Sequence, residues 1–208
     1  NGQGTDAAAG FRAGLIPALR AGGLGGSAAW RIAVMLPGSR PFEELAAALG
    51  SVASEPTTGL AEELDRTGDI GRAVARVLPG DDTRLLLVID QFEELFTVTR
   101  DGTVRERFLE ALGTALGGAR GRLLAVITMR ADFLDRPLLA PEFGELVREG
   151  LEAVTPLTHD ELDEAIARPA AAVGLELEPG LASEVIADVA RQPGALPQLQ
   201  YALTELFE

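Results

Sequence analysis

Arg84-Leu-Leu-Leu-Val-Ile-Asp90, followed directly by Gln91-Phe92-Glu93-Glu94-Leu95-Phe96, decides how the rest of the chain is read. A short, continuous apolar run ended by one acid is the pattern of a strand buried on both faces. Such strands belong to parallel sheets covered by helices. An acid just past the strand sits at the carboxyl edge of the sheet, where ligands bind in open α/β folds. In phosphate-handling sheets an aspartate at this place holds magnesium, directly or through water, so Asp90 is the candidate metal ligand. The plainer alternative is that Asp90 caps the following helix, and the pattern alone does not separate the two.

Working outward, Trp30 to Leu36 and Leu123 to Thr128 read as further buried strands, and Ala153-Val154 as a short one. Between them lie amphipathic stretches. Ala7 to Arg20 reads as a helix stopped by Gly22-Gly23. Pro41 opens another, because proline suits a first helical turn. Leu60 to Leu78 holds one or two helical pieces around Thr67-Gly68, and Val104 to Leu116 is a helix. The second strand end continues as Met129-Arg130-Ala131-Asp132. From there Arg130 can reach the same crevice as Asp90, or pair with Asp132 or Glu93 instead. After Pro156 the strands stop. Thr158 with Glu161 matches a capping box, whose helix should end before Pro169, and two more helices follow, near Leu181 to Arg191 and Leu196 to Glu208. The expected organisation is an α/β core over 1–155 and a helical region over 156–208.

Composition narrows the function. The 208 residues are 47% hydrophobic and 24% charged, a globular balance. There is no cysteine, so disulfides and thiolate metal sites are excluded, and one histidine, His159, leaves little room for histidine-based zinc sites or a catalytic triad. A formal charge of −14 repels phosphate backbones, which argues against nucleic-acid binding by this segment. No apolar run is long enough for a membrane span and no secretion signal opens the chain, so a cytoplasmic location is expected. All 18 basic residues are arginine. With the abundance of alanine and glycine, this suggests a GC-rich bacterial genome.

Asn1-Gly2-Gln3-Gly4-Thr5-Asp6-Ala7-Ala8 precedes the first helix. A phosphate loop needs glycines so that backbone N–H groups can cradle phosphates at a helix start. It also needs a lysine for the terminal phosphates and a hydroxyl for magnesium. Spaced glycines are here, but the lysine and that hydroxyl are not.

Together these pieces resemble the novel STAND NTPases of bacteria, signal-transduction ATPases with numerous domains, a P-loop branch close to the AAA+ ATPases. Arg12-Ala13-Gly14-Leu15-Ile16-Pro17-Ala18-Leu19 resembles the helix after their phosphate loop. Leu87 to Phe96 resembles their acidic strand motif, and Thr128 to Phe133 their arginine-bearing strand end. Pro193-Gly194-Ala195-Leu196-Pro197-Gln198-Leu199-Gln200, with Ala202 to Leu206, resembles the glycine-proline signature of their helical region. The resemblance implies a P-loop NTPase three-layer sandwich with a parallel sheet, followed by a small helical lid region. It implies ATP and magnesium as ligands, Gly2, Gly4, Thr5, Asp6, Ala7 and Ala8 along the phosphate loop, Asp90 on the metal, and Pro197 at the nucleotide-sensing hinge. It also implies effector and repeat-sensor domains in the same longer protein, and assembly into homo-oligomers.

Two departures follow from the same resemblance. The family's first strand lies just before the phosphate loop, so here it is expected to be missing and the chain to be a fragment. The second departure is chemical. The loop pattern GxxGxGKSS falls on Asn1 to Ala9, which puts Asp6 at a glycine, Ala7 at the lysine and Ala8 at the magnesium-binding hydroxyl. One charge pair at about 4 Å is worth ~4 kcal/mol at an effective dielectric of ~20. Ala7 forfeits one such attraction and an ionised Asp6 adds a repulsion, whereas micromolar affinity totals only ~8 kcal/mol. Tight magnesium-ATP binding in the usual pose is therefore not expected. Gln91 also stands where wider P-loop relatives carry the water-activating glutamate, leaving Glu93 or Glu94 for that role.

Three readings stay open at this point. One is a signalling switch or scaffold with impaired ATP binding and hydrolysis. Another is an active ATPase that borrows a basic residue in trans and uses Arg130 on the terminal phosphate. The last is a purely structural interaction module.

Overall fold

The computed structural model describes residues 14–78, 80, 82–118, 121–155, 157–172, 174–178 and 180–189. The chain divides into two compact units, the boundary falling between Leu151 and Glu152.

The first unit is an α/β layer structure. In chain order it contains α1 (Ile16–Arg20), β1 (Arg31–Met35), α2 (Pro41–Val52), α3 (Leu60–Thr67), α4 (Ile70–Val77), β2 (Leu85–Ile89), α5 (Glu94–Thr97), α6 (Gly102–Gly117), β3 (Leu123–Ile127) and α7 (Pro141–Gly150). The three strands form one parallel sheet in the order β1-β2-β3. All five residues of β2 are buried, as its unbroken apolar run requires of a central strand. Leu85, Leu87 and Ile89 face one layer of helices, where they meet Phe42, Leu45, Leu49, Phe108 and Leu112. Leu86 and Val88 face the other side, with Leu19 of α1 and half-buried Trp30, Ile32, Val34, Leu124 and Val126. Trp30 is thus a packing residue at the start of β1.

Local chemistry explains the helix ends. Gly68 adopts φ 66° and separates α3 from α4, so the Leu60 to Leu78 stretch is two helices. Asp69 then caps α4, its carboxylate accepting from the N–H of Arg72 at 2.9 Å. Proline stands at the first turn of α2 and of α7. α7 was not anticipated, although Pro141 followed by Phe143 and Val147 carries the signal. It packs against α6 closely: a Cβ on Gly113 would lie 3.0 Å from the backbone nitrogen of Phe143. The strand expected at Ala153-Val154 does not form. Residues 151–155 have no regular structure, and Val154 is 84% exposed. A short apolar pair without a neighbouring strand has nothing to bond to.

The second unit holds α8 (His159–Ala172) and α9 (Leu181–Val189), packed through Leu162, Ile166 and Ile186. His159 is exposed. The capping box is present: Glu161 accepts from the Thr158 N–H at 2.7 Å and from its hydroxyl at 2.9 Å, and Thr158 Oγ1 accepts from the Glu161 N–H at 3.3 Å. The helix does not stop before Pro169 but carries it inside and continues to Ala172. Losing one backbone donor is outweighed because the buried face Leu162-Ile166-Ala170 runs straight through the proline. No described helix is long and apolar enough to cross a membrane.

Two outcomes test this arrangement. Leu87→Ala, at the centre of the sheet, should cost about 2–5 kcal/mol in chemical denaturation. A cost under half a kilocalorie would contradict its place in the core. The backbone N–H and then the hydroxyl of Thr158 hold the Glu161 carboxyl below its ordinary value of 4.5. Because the folded value is depressed, the cap's contribution is full above about 4.5 and is lost as pH falls through the folded value. In an NMR titration, Thr158→Ala, which removes the hydroxyl and keeps the N–H, should move the Glu161 midpoint part of the way back up, and an unmoved midpoint would contradict the hydroxyl's share in the cap.

Candidate functional site

The carboxyl ends of β2 and β3 build one small polar cluster. Pairing of Ile89 with Ile127 sets the two strands level, so the next residues, Asp90 and Thr128, emerge side by side. Backbone bonds continue the ladder past the strands: Asp90 N–H donates to Met35 O at 2.9 Å, Thr128 N–H to Ile89 O at 2.9 Å, and Phe92 N–H to Thr128 O at 2.9 Å.

The side chains then close on one another. Thr128 Oγ1 donates to Asp90 Oδ1 at 2.6 Å. The Gln91 N–H is shared between Asp90 Oδ1 and Thr128 Oγ1, each at 3.0 Å. Asp90 is 4% exposed and Thr128 7%. Gln91 is held at φ 51°, the single non-glycine in the left-handed region among the described residues. That conformation is strained for a residue with a Cβ. It persists because the two acceptors grip its N–H and because Phe92, the next residue, is fully buried beside Phe96 and Phe143. Asp90 therefore does more than cap a helix: α5 begins only at Glu94, and the carboxylate is turned to the neighbouring strand end.

The two glutamates that follow tie the edge together. Glu93 Oε2 accepts from the Arg130 N–H at 3.4 Å. Glu94 Oε2 accepts from the Gly38 N–H at 3.2 Å, and Thr99 Oγ1 donates to Gly38 O at 2.8 Å. Gly38, at φ 57°, turns the chain after β1. Residues 90–99 thus fasten the ends of all three strands. The Arg130 side chain pairs with Asp132, Nε to Oδ1 at 3.1 Å and Nη2 to Oδ2 at 2.8 Å. Of the two partners the sequence offered for its guanidinium, Asp132 is the one it takes.

Asp90 is a buried carboxylate that, among the described residues, takes part in no ion pair. Its Oδ1 already accepts two hydrogen bonds, and a cation beside it would further offset the cost of burying a carboxylate. No group of three or more acidic or histidine ligands exists among the described residues, so the edge is not an all-protein cage. One carboxylate with an adjacent hydroxyl suits magnesium, which keeps several waters and is shared with phosphate oxygens. The residues present fit that ion. Gly2, Gly4, Thr5, Asp6, Ala7, Ala8 and Pro197 lie outside the described residues. Sequence reasoning had assigned no role to Thr128, Gly38 or Thr99. For Thr128 the signal was available, a hydroxyl ending an apolar strand level with Asp90.

An open groove of about 750 Å³ lies elsewhere in this unit, between α4 and α6, and reaches Arg122 and Leu123. Leu123 begins β3, so the groove meets the amino end of that strand, whereas the acidic cluster is at the carboxyl end.

A family model described as Novel STAND NTPase 1 matches residues 11–208. The chain belongs to this family. No curated protein and no solved structure matches it. The membership agrees with the parallel α/β layers of this novel STAND NTPase.

Thr128→Val removes one donor and one acceptor from a buried cluster while preserving shape. It should cost about 1–3 kcal/mol in denaturant, with Thr128→Ser retaining most of the stability. Equal stability of Thr128→Val and the parent chain would contradict the cluster.

Proposed function

We propose that this chain is a STAND-type signalling domain, a switch or assembly scaffold joining an effector to a sensor in a longer protein, with impaired ATP binding and hydrolysis. Asp90 would hold a magnesium ion shared with nucleotide phosphates, and Thr128 and the Gln91 N–H would orient its carboxylate. Magnesium, when bound, supplies charge neutralisation at the phosphates. The chain's own residues fix the carboxylate. The ATP site would extend to Gly2, Gly4, Thr5, Asp6, Ala7 and Ala8, with Pro197 at the hinge of the helical region, and assembly into homo-oligomers would carry the signal.

One observation supports the reading of impaired chemistry: the arginine at this edge is already engaged by a neighbouring carboxylate. Glu93 and Glu94 each accept a backbone N–H, and the Arg130 guanidinium is held by Asp132. With alanine at both the lysine and hydroxyl positions, the site keeps its acid and lacks its cationic clamp.

Calorimetric titration of the purified full-length protein with ATP, with and without magnesium, tests this. Weak, magnesium-dependent binding is expected, reduced at least about tenfold in Asp90→Ala, an effect of ~1.4 kcal/mol or more. Phosphate release should stay near background. Brisk turnover abolished by Asp90→Ala would overturn the impaired chemistry. The absence of any nucleotide binding would leave a purely structural module.

A further inference from the structure

Arg130 follows Thr128 by two residues, and its N–H is already bonded to Glu93, so its place at the carboxyl edge is secured by the backbone. Its side chain is committed differently. The short 3-10 turn Ala131–Phe133 folds Asp132 back onto it, and both carboxylate oxygens accept from the guanidinium, at 3.1 and 2.8 Å. The guanidinium carbon also lies 5.8 Å from the centre of the Phe133 ring. Two parallel N–H donors facing two oxygens is the geometry by which arginine grips a phosphate. Asp132 therefore fills the fork that a phosphate would use.

The contact is also replaceable. The side chains are 38% and 56% exposed, and solvent-exposed pairs hold weakly. A phosphate carries more charge than a carboxylate and can compete for the same donors.

We propose that Asp132 is an autoinhibitory latch on Arg130 that lowers the affinity of the carboxyl edge for polyphosphate ligands. The proposal rests on the reading of that edge as a phosphate site. The latch opens when an incoming phosphate takes the guanidinium fork, or when Asp132 is neutralised. It adds a second cause of weak binding to the lost lysine, and unlike that loss it is reversible.

The test measures binding of magnesium-ATP and of tripolyphosphate, a probe with no base or sugar, to the full chain. The variants are Asp132→Asn, the double variant Arg130→Gln with Asp132→Asn, Asp90→Ala, and Asp135→Asn. The last removes a nearby exposed charge that pairs with Arg136 instead. Asp132→Asn should bind about three- to tenfold more tightly than the parent chain. The gain should vanish in the double variant and be absent in Asp135→Asn. A gain of affinity cannot come from misfolding. No gain in Asp132→Asn, a gain that survives Arg130→Gln, or an equal gain in Asp135→Asn overturns the latch. A gain that needs Arg130 while Asp90→Ala leaves binding unchanged supports the latch and overturns the placing of the phosphate beside Asp90.

Discussion

The hydroxyl of Thr128 bonded to Asp90 Oδ1 at 2.6 Å is the contact on which the rest of this edge depends. It joins the ends of two adjacent strands through side chains, beside the last backbone bonds of the ladder. It also supplies the second acceptor that holds Gln91 in its left-handed conformation. That turn sends Phe92 down into the core and leaves Glu93 and Glu94 to reach the loops after β3 and β1. Without the hydroxyl, Asp90 would lose one of its donors, and the Gln91 N–H would keep Asp90 Oδ1 as its only side-chain acceptor of the two.

From this follows a division of labour within one short motif. Asp90 presents charge, Phe92 anchors, and Glu93 with Glu94 act as clasps on backbone N–H groups. Acids clustered beside a strand end invite assignment as bases, yet the geometry gives the two glutamates structural partners. The arginine that should answer the acid's charge is turned onto its own neighbour, Asp132. The result is an edge with a buried carboxylate and an arginine whose side chain is engaged beside it.

The sheet was legible because periodicity reports burial directly. An apolar run such as Leu85 to Ile89 has few homes besides a central parallel strand. The family was legible in strings such as Asp90 to Phe96, and Asp90 could be placed at the carboxyl edge from its position alone. Partners across the sheet were not legible, because Thr128 and Gly38 meet the motif only after the strands are set in register. The continuation of α8 past Pro169 was hidden because proline's local cost argues for a stop, and only the packing of Ala170 overrides it. The supposed strand at Val154 failed for the opposite reason: local propensity without a partner to pair with.

The most direct test of the central claim is where a bound divalent ion lies. Manganese can replace magnesium, and its paramagnetism broadens nearby NMR signals in the presence of ATP. The amides of Asp90, Gln91 and Thr128 should broaden first as manganese is added, with those around Leu123 and the α4–α6 groove unaffected. Broadening that begins at the groove, or that leaves the Asp90 edge untouched while nucleotide is bound, would contradict the account.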